Sequence, residues 1–240
     1  MQQEADPRAA RRRQRHDARL ARWRAPLSTR RERLAAWLNM VFVDHGIFRL
    51  IYLNLHRVGR GAWRSGQPAP HQVRAFARRG GRSVVSLRGG QAFGSLPLER
   101  EACTRNGLSF QTFVLRSRAL PTPEDLRAVK VLLDRLEYPA LFHCKAGADR
   151  AGFMSALYLA LVEGAPVAEA RQQLSPWYGH IRQGPTGVLD AFFDAYQRDT
   201  GGQVPLMEWV ETDYDPAAIT RDFRASGWGR LFTDRLLRRE

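Results

Sequence analysis

Residues 138–162 constrain the fold of this chain more tightly than any other stretch. Positions 138–142 form a short apolar run bounded by polar residues, the pattern of a buried strand. From Gly152 to residue 162, apolar residues recur at helical spacing. Between them lie His143, Cys144, Lys145, Ala146, Gly147, Ala148, Asp149 and Arg150, several of them small enough for a tight loop. A strand, a tight loop and a helix in that order aim the unpaired N–H groups of the loop and first helical turn at one point. Such a point binds anions. A sulfur held there is stabilised as thiolate by the amides, the helix dipole and the nearby guanidinium. Together these can bring a thiol from about 8.5 into the range of roughly 3.5–7.5. Arg150 adds a planar fork that can grip two phosphate oxygens at once. The segment therefore predicts hydrolysis of phosphate monoesters through a cysteinyl-phosphate. Cys144 is the nucleophile, and the backbone of Lys145, Ala146, Gly147 and Ala148 lines the phosphate. The competing reading, cysteine as a small apolar filler, does not account for the flanking strand and helix.

From residue 61 the pattern alternates. Residues 62–65, 83–87, 108–115 and 140–143 read as strands, and residues 70–79, 96–106, 123–136, 152–162, 166–174 and 187–197 as helices. Alternation of this kind predicts an α/β fold with a central, mostly parallel sheet flanked by helices. The cysteine loop then sits at the carboxyl end of a strand, where open sheets of this class bind ligands. Arg88, Gly89 and Gly90 end a neighbouring strand and reach towards the same crevice. Arg116 and Arg118 follow another strand and are candidates for reading substrate charge.

The motif His143-Cys144-x5-Arg150 resembles that of the cysteine-dependent protein tyrosine and dual-specificity phosphatases, here of bacterial type. Trp63, Arg64, Ser65, Gly66, Gln67 and Pro68 look like the first core strand of the compact dual-specificity enzymes, and residues 83–89 look like the next. The resemblance covers about residues 61–198. It implies a dual-specificity-phosphatase-like fold, Cys144 as nucleophile, Arg150 as phosphate and transition-state ligand, and His143 orienting and acidifying the cysteine. It implies neither metal nor cofactor. The expected substrate is a phosphotyrosine or other phosphorylated protein. A phosphoinositide or inositol phosphate is the alternative, and a low-turnover, phosphate-binding pseudophosphatase a second.

Two departures from the family pattern stand out. Ala151 occupies the position where the family usually has Ser or Thr, whose hydroxyl assists the thiolate as leaving group. The segment 113–121, where the family usually carries its general acid, has no carboxylate. An acid must lie within hydrogen-bond reach of the leaving oxygen, and Asp149 is the candidate. Its Asp-Arg ending resembles that of myotubularin-type phosphoinositide phosphatases and of some bacterial tyrosine phosphatases. Glu124 and Asp125 lie in a capping-box start after Thr122 and are read as helix caps. Lys145 resembles the second residue of a lipid phosphatase loop and suits a highly charged substrate; a solvated surface lysine is the plain alternative.

Four regions are expected: residues 1–33 as a flexible basic arm, 34–60 as an extra, amphipathic N-terminal helix, 61–200 as the catalytic domain and 201–240 as a C-terminal extension. The net charge is +14, carried by 36 Arg and only two Lys, a bias that points to a GC-rich bacterial genome. Residues 1–33 hold eleven Arg against Glu4, Asp6, Asp17 and Glu32, which gives +7. Such an arm is read first as a plain solvated tail; since anionic lipid attracts it, peripheral membrane contact is the alternative, and without regular aromatic interleaving nucleic acid is disfavoured. Leu206, Trp209 and Tyr214 are expected to pack part of the extension back onto the domain. Cys103 and Cys144 do not make a disulfide framework, and a thiolate enzyme needs a reducing compartment, so cytoplasm is expected. His45 and His56 are read as structural, and composition leaves the oligomeric state open.

Overall fold

The computed structural model describes residues 20–89 and 93–225, together with Gln14, Asp17 and Ala18. Most of residues 1–19, residues 90–92 and residues 226–240 lie outside it. Five strands form one sheet: β1 (His56–Val58), β2 (Ala62–Ser65), β3 (Ser83–Ser86), β4 (Ser109–Thr112) and β5 (Ala140–His143). Their spatial order is β1-β2-β5-β3-β4. β1 is antiparallel to β2 and the other pairings are parallel. β5 is therefore central, in register with Ala62–Ser65 on one side and Ser83–Ser86 on the other. The expected mixed α/β architecture is present, and β1 is the strand that the sequence pattern did not reveal.

Alternation along the strands sorts side chains to the two faces. Val84 and Leu141 pack with Val73, Phe76, Ala102 and Cys103, from α3 (Pro70–Arg78) and α4 (Ser95–Arg105). Val85 and Phe142 face the larger core with Leu126, Val129, Phe153, Leu157 and Phe192. These come from α5 (Pro123–Arg135), α6 (Asp149–Leu161) and α8 (Val188–Thr200). α6 buries every residue from Ala151 to Tyr158, as expected of a helix that is apolar all round. A short α7 (Val167–Ala170) follows it. Beyond α8, α9 (Leu206–Thr212) and α10 (Pro216–Ala225) return to the domain. Trp209, fully buried, sits among Phe192, Tyr196 and Tyr214.

The N-terminal region departs from expectation in two ways. Residues 34–60 are not one helix. α1 (Arg30–Leu38) starts earlier, at a capping box between Thr29 and Glu32, and continues as a π-helical turn, Asn39–Val43. The chain then turns at Asp44, with His45 left-handed at φ 55°, before a short α2 (Ile47–Ile51) and strand β1. The break follows from Asp44, a buried charge that side-chain cations hold in place. The second departure is that the arm is not free along its whole length. Trp23 is buried against Ala36, Met40, Ala69 and Leu98. Residues 1–13 of that arm lie outside the described residues, as does the basic end of the C-terminal extension.

Candidate active site

The loop 144–148 joins the carboxyl end of central β5 to α6, with the ends of β2 and β3 on either side. Cys144 is buried, and its Sγ accepts a hydrogen bond from the Gly147 N–H at 3.3 Å. Gly147 is left-handed at φ 79°, and a Cβ there would lie 2.5 Å from the Gly66 nitrogen. Only glycine lets the loop turn this close to the end of β2. Arg64, fully buried on β2, fixes the turn from behind. Its Nη2 donates to the carbonyls of Gly147 and Ala148 at 2.7 and 2.8 Å. Its Nη1 donates to the backbone and side-chain oxygens of Gln173, and its plane lies 4.1 Å from the centre of the Tyr178 ring. Burial lowers the Arg64 guanidinium to about 10, opposed by Tyr178, Cys144 and Asp149, so it stays cationic at neutral pH. Arg64 on these two carbonyls fixes the peptide planes that follow Gly147. Asn54, at φ 54°, adds side-chain bonds to the carbonyls of Ala146 and Tyr178.

A buried polar chain runs from the cysteine to the N-terminal segment. His143 Nε2 lies 2.7 Å from Glu99 Oε1, as an ion contact off the line of a hydrogen bond. Its Nδ1 faces the Cys144 carbonyl at 3.4 Å. Glu99 Oε2 accepts from Gln67 Nε2 at 2.7 Å, and Gln67 Oε1 accepts from Arg88. Arg88 grips both oxygens of Asp44, at 2.7 and 2.8 Å. Arg49 and Ser95 also donate to Asp44, and Lys145 Nζ stands 3.7 Å away. Burial alone would raise the Asp44 carboxyl; Arg88, Arg49 and Ser95 outweigh it and hold Asp44 below the usual carboxylate range. Arg88 thus faces Asp44 and Gln67, where the sequence placed it towards substrate. Lys145 leans towards the same carboxylate with its side chain half exposed.

Asp149 opens α6, and its Oδ1 lies 2.7 Å from His180 Nδ1. His180 Nε2 lies 2.7 Å from Asp190 Oδ2. An imidazole bonded through both nitrogens to carboxylates favours its charged form. Burial opposes this, but Asp149 and Asp190 prevail and raise His180 to about 9. Arg150 is half-buried, its Nη1 3.5 Å from the Leu87 carbonyl. Ala146 is exposed and Ala148 buried, while Arg116 and Arg118 lie exposed beyond β4, on the segment without a carboxylate. The Thr122 capping box with Asp125 forms as expected. Among the described residues, no cluster of three or more His, Cys, Asp or Glu is placed to hold a metal ion.

Sequence reasoning missed Arg64, Glu99, His180 and Asp190. Arg64 carried a signal in hindsight, a charge inside a short strand whose other residues are uncharged. Nothing local marked His180, whose partners lie 31 and 10 residues away.

A buried cysteine under a glycine amide and an arginine six residues on thus sit on a strand-loop-helix turn at the carboxyl end of a mostly parallel sheet. Residues 95–168, from α4 through the loop into α7, match the model of the tyrosine phosphatase family. A Shewanella putrefaciens CN-32 structure described as a DUF442 phosphatase is 21% identical with a TM-score of 0.50, covering 70% of this chain and 96% of its own. P. aeruginosa TpbA is 20% identical with a TM-score of 0.48, covering 67% of this chain and 92% of its own. Tk-PTP in its active form is 17% identical with a TM-score of 0.47, covering 60% and 98%. The first of these likenesses, at a TM-score of 0.50, bears on the fold. No curated protein matches the chain.

Proposed function

We propose that this chain is a cysteine-dependent phosphatase of the protein tyrosine and dual-specificity type. The observation that carries the reading is the Gly147 N–H on Cys144 Sγ, with Asn54 on the Ala146 carbonyl of the same peptide and Arg64 on the next two carbonyls. The family match over residues 95–168 supports the same reaction. Cys144 thiolate attacks phosphorus, and the bond from phosphorus to the ester oxygen breaks. Arg150 and the loop amides hold the three non-bridging oxygens as charge spreads over them. The departing oxygen takes its proton from the Asp149–His180 pair: the imidazolium holds it, and Asp149, bonded to His180 Nδ1 through Oδ1, passes it on. Water then attacks the cysteinyl-phosphate, releasing inorganic phosphate and restoring the thiolate. Ala151 supplies no hydroxyl for that second step, so departure of sulfur relies on Arg150 and the Gly147 N–H.

The test is hydrolysis of an aryl phosphate, with and without vanadate, for the wild type and Cys144→Ser. Turnover that vanadate blocks and the variant lacks is expected. A wild type as inactive as the variant, yet still binding vanadate, would make the chain a phosphate-binding protein without turnover.

A further inference from the structure

The segment from α1 to α2 is built inside out. Two charged residues past α1 point inward: Asp44 is fully buried and Arg49 nearly so. Its large apolar residues point outward, with Ile51 83%, Phe48 69% and Phe42 67% exposed, and Leu34, Leu38, Val43, Ile47 and Tyr52 exposed beside them in sequence. Of the large apolar side chains exposed among the described residues, most belong to this one short segment. The arrangement is held firmly. Asp44 is bound by Arg49, Arg88 and Ser95, and the Gly94 N–H donates to Asn39 Oδ1. Arg33 pairs with Glu101 of α4. A soluble surface does not ordinarily gather such a patch unless something covers it.

Two further observations indicate what covers it. Trp23, buried against Ala36 and Met40, pins the end of the Arg-rich arm to the same segment. Arg22, Arg24, Arg30 and Arg31 are thereby exposed alongside the apolar face. The patch also continues to the catalytic loop. A groove of about 640 Å³ runs between Phe48, Ile51 and Tyr52 on one side and Ala146, Ala148 and Trp177 on the other. Trp177 is itself largely exposed.

We propose that this face docks on an anionic lipid bilayer, with the apolar side chains of residues 34–52 and Trp177 in the interface and the arginines against the headgroups. Aromatic and branched apolar residues flanked by arginine suit a surface that is apolar within and negative at its rim. A second copy of the chain suits it less, because a two-fold contact brings each patch against its own equivalent and so sets arginine beside arginine. Docking turns the groove, and with it the mouth of the cysteine loop, towards the bilayer. The binding claim stands apart from the catalytic one and is measured without turnover.

The full chain is sedimented with phosphatidylcholine vesicles and with vesicles that also contain phosphatidylglycerol. The comparison is Phe42→Ser/Phe48→Ser/Ile51→Ser, three exposed positions, with circular dichroism and melting confirming that the variant folds. Sedimentation with the anionic vesicles, at least tenfold weaker for the variant, is the expected result. Wild type that stays in solution with both vesicles overturns the proposal. So does binding that the triple variant retains in full, since arginine alone then accounts for it. A wild-type dimer that the variant dissociates, without vesicle binding, makes the face a self-association surface instead.

Discussion

Asp149 and His180 form a pair that shares one proton, and this sets a pH dependence. Arg171 and Arg182, near His180 on the same side, are both taken up by Asp194, so the two carboxylates dominate its surroundings. With His180 raised to about 9, the pair retains its proton through neutral pH and loses it as pH climbs through about 9. For an alkyl phosphate, which needs its leaving oxygen protonated, kcat is expected to hold to that pH and then fall. Asp190→Asn removes one of the two groups that raise His180, so the fall moves to lower pH. A p-nitrophenyl ester, whose leaving group needs little help, should show no such movement. Equal pH profiles for both esters would remove the proton role. The same titration affects stability. His180 is raised on folding, so its stabilisation is complete below its unfolded value near 6.5 and is lost as pH rises through about 9. At Gly147, alanine would place Cβ against the Gly66 nitrogen. Gly147→Ala is expected to lower kcat on the order of 100-fold, read beside a melting curve to show that the fold survives. Cys144 and Arg150 were legible because their spacing is local. His180 was not, because its role depends on two helices meeting.

At the scale of elements, strands β2, β3, β4 and β5 and the long helices followed the apolar pattern. The break in the N-terminal helix did not. Helical periodicity through residues 34–56 ignores where a charge is buried, and Asp44 is held in the interior by Arg49 of the same segment and by Arg88, 44 residues further on. β1 was hidden for a related reason: three residues with one inward side chain carry too short a pattern to read. Asp44→Ala leaves those guanidiniums buried without a counter-ion and is expected to cost about 3–5 kcal/mol, measured by urea unfolding. Asp44→Asn, which keeps the shape and some hydrogen bonds, should cost less.

At the scale of the whole molecule, the C-terminal helices complete the larger core. Trp209 fills the space between α8 and Tyr214, and Trp209→Ala is expected to cost about 3–5 kcal/mol. An unchanged urea midpoint would show instead that α9 packs without contributing to stability. No helix among the described residues is long and apolar enough to cross a membrane. The chain of contacts from His143 through Glu99, Gln67 and Arg88 to Asp44 crosses the boundary at residue 61 that the sequence pattern places ahead of the catalytic domain. That boundary is not a seam along which the protein divides. A fragment trimmed to begin there keeps the cysteine and the arginine of the motif but strands Arg88 without its counter-ion, so the segment around Asp44 must travel with the loop in any shortened or recombined form.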